Sequence, residues 1–179
     1  MSSTAPAPAT ARPSLGWRDW LGLAARLVLG GVLFIAGALK VTNLPSSALA
    51  VRAYKILQYD LAGMVGYALP IAEIAVGLLL ITGLFTRWSA VVGGLLMVAF
   101  IIGISSAWAR GLSLDCGCFG GGGEVELAKA LAAYPWEIAR DLGLLALAVW
   151  LVVRPTTPYS VETRLFGPTT IDDIDLDEE

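Results

Sequence analysis

A chain of 179 residues with 56% hydrophobic and only 15% charged side chains is more apolar than a soluble domain of this size, and the excess lies in a few long runs, pointing to membrane spans. Histidine is absent and cysteine occurs twice. That excludes a Ser-His-Asp triad, histidine-ligated haem or zinc, a neutral-pH imidazole base and, within one chain, a four-thiolate cluster or zinc site. The net charge of −3 comes from the acidic end and argues against nucleic-acid binding.

Residues 1–15, rich in Ala, Pro, Thr and Ser, bury too little apolar surface to fold and read as a disordered cytoplasmic tail. After Trp17-Arg18-Asp19, suited to the interface, a first span is expected over 20–39 with Arg26 as its only charge. Ala36-Gly37-Ala38 also resembles a signal-peptide cleavage site, but the apolar run is long for a signal peptide and further spans follow, which favours a retained helix.

Residues 40–60 begin polar, with Asn43 and Pro45 as breakers, and then turn amphipathic. Leu49, Ala53, Ile56 and Leu57 share one helical face away from Arg52, Lys55 and Gln58, which suits a short interfacial helix or a loop packed on the bundle. Tyr54 and Tyr59 fit an aromatic belt. A second span is expected over 61–84, carrying Pro70 and Glu73, and a third over 88–108, carrying Gly93 and Gly94. The cysteine loop follows, then a short surface helix over 124–133. Tyr134-Pro135-Trp136 is read as opening a fourth span over 135–153, with the proline in its first turn. Residues 155–179 end in a like-charge acidic block expected to stay disordered in the cytoplasm.

The expected fold is therefore all-α, a polytopic four-helix membrane bundle over 16–154. Four spans place both termini on one side. Lysine and arginine are divided almost evenly between the two sides, so the orientation rests on the cysteines: cytoplasmic termini place them outside, where a disulfide persists.

Cys116 and Cys118 flank one glycine in Leu-Asp-Cys-Gly-Cys-Phe-Gly-Gly-Gly-Gly at 114–123. A bridge between residues two apart has poor geometry and closes almost no loop, so it opens easily and adds little stability. A redox or exchange role explains such a pair better than a structural one. Gly117 and the four glycines at 120–123 supply unusual backbone angles and room for a partner's cysteine. Asp115 beside the pair disfavours a thiolate, whereas a nearby Lys40 or Arg140 favours it. Two alternatives remain: cysteines that merely pack, and capture of Cu(I) by two thiolates, for which Met1, Met64 and Met97 form no supporting methionine tract. No resident metal is expected.

Glu73 is an ionisable group near mid-span, so it should face the bundle interior and pair with Arg26 from the first span or Arg140 from the fourth. A structural ion pair and a part in proton handling or quinone binding both fit. With Lys40, these residues form the candidate polar lining of a quinone or proton site. Glu137, Arg140 and Asp141 also suit helix-end or snorkelling charges.

Arg26, Ala36-Gly37-Ala38-Leu39-Lys40, Tyr54-Lys55-Ile56-Leu57, Pro70 with Glu73 and Gly77, Gly83, and Cys116-Gly117-Cys118-Phe119-Gly120 together resemble the DoxX and MauE family of small four-helix membrane proteins, the last stretch its MauE-like branch. The likeness runs from about Arg26 to Val153. It implies a redox-associated protein of the plasma membrane. MauE-type members are linked to maturation of a disulfide-rich periplasmic enzyme subunit beside a thioredoxin-like partner, and DoxX-type members to oxidative-stress complexes and a quinol-oxidising system. Two functions are carried forward. One is thiol–disulfide exchange by Cys116 and Cys118 with an extracytoplasmic thioredoxin-like protein, a quinone being the other candidate carrier. The other is a non-catalytic subunit or assembly factor of a larger membrane complex. A transporter fits poorly without an inverted repeat unless the chain forms a homodimer.

Overall fold

The apolar runs fold as helices between the breakers that the sequence supplies. The computed structural model describes residues 17–115, 117 and 123–154; the two terminal tails and both cysteines fall outside them. The elements are α1 (Trp17–Val41), α2 (Leu44–Ala53), α3 (Tyr59–Thr82), α4 (Thr86–Ala109), β1 (Leu114–Asp115), β2 (Gly123–Glu124) and α5 (Leu127–Val153). Three helices, α1, α3 and α4, are long and apolar enough to cross a membrane. Large apolar side chains stand exposed along them, among them Ile35, Met64, Ile71, Leu95 and Ile102, as lipid-facing positions require.

Local backbone features end or open the helices in three places. Asn43 caps α2, its side chain accepting from the Ser46 amide at 3.2 Å, with Pro45 in the first turn where a missing N–H costs nothing. Gly83 ends α3 at φ 71, and the Leu84 amide closes back on the Leu79 carbonyl at 3.0 Å. The turn into α4 is made by Phe85 at φ 49, an uncommon angle for a bulky side chain.

One expectation needs correction. The surface helix and fourth span are one helix of 27 residues, with Pro135 inside it rather than in its first turn. The proline removes the partner of the Leu131 carbonyl, but Leu131 is exposed, so one lost hydrogen bond does not end the helix there. Leu49, Ile56 and Leu57 of the amphipathic face assigned to 40–60 turn away from the bundle. α2 stops at Ala53, buries Ser47, Ala48 and Ala50, and leaves Leu49 exposed. Small side chains win because α3 comes very close: a Cβ on Gly66 would lie 2.5 Å from the Ala48 Cα.

α1 and α3 pack antiparallel through glycines. A Cβ on Gly77 would lie 2.7 Å from the Phe34 nitrogen, and one on Gly37 would lie 2.6 Å from the Pro70 carbonyl oxygen. Around this contact Leu29, Leu33, Leu80, Met97, Leu144 and Leu151 form the main core. A second cluster of Ile104, Ala107, Leu114, Ala130 and Tyr134 fills the end beneath the two short strands.

Candidate functional site

The buried face of α1 runs through Ala25, Arg26, Leu29, Gly30, Leu33, Ala36, Gly37 and Lys40, spacings of three and four that keep one side of a helix inward. Lys40 therefore turns into the bundle. Its ammonium donates to Glu73 Oε1 at 2.6 Å, with the two side chains 6% and 0% exposed, and it lies 5.1 Å from the centroid of the Phe100 ring.

This corrects the partner expected for Glu73. Gly37 lies beside Pro70 and Glu73; at ~1.5 Å per residue Lys40 is one turn away, whereas Arg26 is roughly 16 Å along the helix in the other direction. Arg26 is buried on the same stripe but too distant to pair with Glu73. Arg140 holds Asp141, with Nε and the guanidinium Nη2 each 2.9 Å from Oδ1. Asp141 is buried at mid-helix, which corrects its reading as a helix-end or snorkelling charge. Glu73, Arg140 and Asp141 nevertheless line one small void of about 10 Å³, and Lys40 also acts electrostatically on Asp141. The second oxygens of Glu73 and Asp141 are buried without a hydrogen-bond partner among the described residues, and the void is about the size of one water.

On its other side Lys40 forms part of the floor of a much larger cavity of about 320 Å³. The walls are Tyr54 and the residues around it, Val65 and Leu69 of α3, and Phe100, Gly103 and Ile104 of α4. Gly117 lines it too, buried at φ 67, the left-handed region that glycine enters freely. Ile56 and Leu57, exposed beyond the end of α2, form part of its rim.

The residues on either side of the cysteines are held by pairing and hydrogen bonds. β1 and β2 pair antiparallel, Leu114 opposite Glu124 and Asp115 opposite Gly123, so residues 116–122 connect two paired strands. Tyr134, read from sequence as an interfacial anchor, is instead buried. Its hydroxyl donates to the Leu112 carbonyl at 2.6 Å and accepts from the Leu114 amide at 3.0 Å. Asp115 Oδ1 accepts from the Gly117 amide at 3.0 Å, a short turn closed at the base of the loop. Arg110 ties the same end to α2 by donating to the Tyr54 carbonyl.

Lys40 and Glu73 are thus brought together, Arg140 shares a void with Glu73, Arg26 stands apart, and Cys116 and Cys118 lie outside the described residues. Tyr134, Tyr54 and Phe100 were not among the candidates. The α1 stripe carried a usable signal for Lys40, since it follows Gly30, Leu33 and Gly37 at helical spacing; no comparable signal marked Tyr134.

The described residues thus place a buried ion pair beneath an apolar cavity that Gly117 also lines. Comparison with curated proteins and with solved structures gives no match. The family model described as methylamine utilisation protein MauE matches residues 18–154. That stretch contains every described feature of the site, so the chain belongs to the MauE family and is a membrane protein.

Proposed function

We propose that Cys116 and Cys118 exchange electrons with an extracytoplasmic thioredoxin-like protein, at the outer face of a four-span bundle in the plasma membrane with both termini cytoplasmic. α5 is taken as the fourth span: its charged residues Glu137, Arg140 and Asp141 keep it from reading as a simple apolar helix, but the burial of Asp141 against its neighbours removes the main cost of placing it in lipid. The observation that carries the reading is that the residues flanking the two cysteines are held in place, Leu112 and Leu114 by Tyr134 and Leu114-Asp115 by pairing with Gly123-Glu124.

One thiolate of the dithiol attacks the partner's disulfide, giving a mixed disulfide and releasing one partner thiolate. The other cysteine then attacks its neighbour's sulfur, leaving a disulfide here and a dithiol on the partner. Two electrons move to the partner, and the reverse sequence returns them. With Cys118→Ala or Cys116→Ala, one of the two variants should accumulate a mixed disulfide; its absence from both, with the partner oxidised, rejects the reading. The family description concerns methylamine utilisation, and a disulfide-containing protein of that process is a suitable ultimate substrate.

The buried Lys40–Glu73 lock favours a second reading, a non-catalytic subunit or assembly factor. In that case the double variant Cys116→Ser, Cys118→Ser keeps function at normal membrane levels.

A further inference from the structure

We propose that the cavity between α2, α3 and α4 binds the head group of a lipid-soluble quinone, with the Lys40 ammonium donating to one of its carbonyl oxygens. At about 320 Å³ the cavity lies at the lower end of the ~300–1,000 Å³ usual for small-molecule sites. Its rim at Ile56, Leu57 and Ile102 is exposed and apolar, while Lys40, Ala50 and Ile104 deeper in are buried. A ligand dissolved in lipid can therefore enter without crossing a polar barrier.

The charge of Lys40 selects among lipid-phase ligands. It is already matched by Glu73 at 2.6 Å, so a carboxylate ligand would set two anions against one cation. Among the described residues the Lys40 ammonium donates to Glu73, and an ammonium carries three donors, so a neutral acceptor oxygen can be accommodated as well. The rings of Tyr54 and Phe100 border the same space and suit a flat conjugated head group. A plain acyl chain would use neither the donor nor the rings.

Gly117, between the two cysteines, is part of the same lining. Given the thiol reading above, the dithiol would reduce the quinone: two electrons and two protons leave the sulfurs, a disulfide forms, and quinol departs into the bilayer. The binding site itself does not depend on that reading.

The test uses the full chain in lipid nanodiscs, with decylubiquinone and menadione as probes and tryptophan fluorescence quenching as readout. The Cys116→Ser, Cys118→Ser background prevents any redox step. Saturable binding is expected, weakened at least tenfold by Gly103→Leu. A Cβ at Gly103 meets only the Tyr54 ring, at 3.6 Å, so the larger side chain fills the cavity without displacing backbone. The paired variant Lys40→Met, Glu73→Leu, which orphans no charge, should weaken binding to the same degree. Unchanged affinity in either variant overturns the proposal, as does displacement of the probes by palmitate at equal concentration. Binding that follows the expected pattern, together with failure of the dithiol protein to reduce the probe, upholds the quinone site and rejects electron transfer from the dithiol to it; exchange with the thioredoxin-like partner is judged separately by the mixed-disulfide trap.

Discussion

Lys40 and Glu73 form an ion pair buried within the bundle, and their energetics follow from that. Removing one partner strands the other, at a cost of about 3–5 kcal/mol. Glu73→Ala and Lys40→Met should each lower the stability measured by denaturation in detergent by that amount, and Lys40→Met with Glu73→Leu should recover most of the loss. Glu73 was legible because a lone carboxylate in an apolar run demands burial. Its partner was not, because the offset between α1 and α3 is set by glycine contacts that neither helix reveals alone. Tyr134 is similar: the sequence showed an aromatic residue before a proline, and only the fold shows its hydroxyl holding Leu112 and Leu114. Tyr134→Phe leaves buried backbone groups unpaired, a local cost of about 1–3 kcal/mol. Faster amide exchange at Leu114 and faster alkylation of the reduced cysteines should result, and unchanged rates would separate this anchor from the loop.

Among the long helices, α1 and α3 approach closely through glycines. Gly77→Ala must push the Phe34 backbone away and should destabilise by about 1–3 kcal/mol. Gly31→Ala, where an added Cβ meets nothing within 4 Å, should change stability by less than about 0.5 kcal/mol. Thermal unfolding of the two variants side by side checks this. Spans one to three were legible within a few residues, since length and apolar content alone define them. α2 and α5 were not: the side of α2 that packs is chosen by the proximity of Gly66, and the continuity of α5 through Pro135 depends on the turn being exposed.

For the whole molecule, membrane insertion was legible from composition, and the family match over 18–154 agrees with it. The sidedness of the bundle was not, because basic residues are shared between both faces. In intact cells an impermeant maleimide should label Cys116 and Cys118 only after external reduction; labelling only after lysis would invert the proposed orientation. The 27 residues of α5 also have a geometric consequence. At ~1.5 Å per residue the helix is roughly 40 Å long, against a hydrocarbon thickness of ~30 Å. As the fourth span proposed above, it would exceed the hydrocarbon layer by roughly 10 Å, just under two turns. On that proposal the surplus forms a pedestal that lifts the strand pair into the phospholipid head-group layer, within reach of a water-soluble visitor.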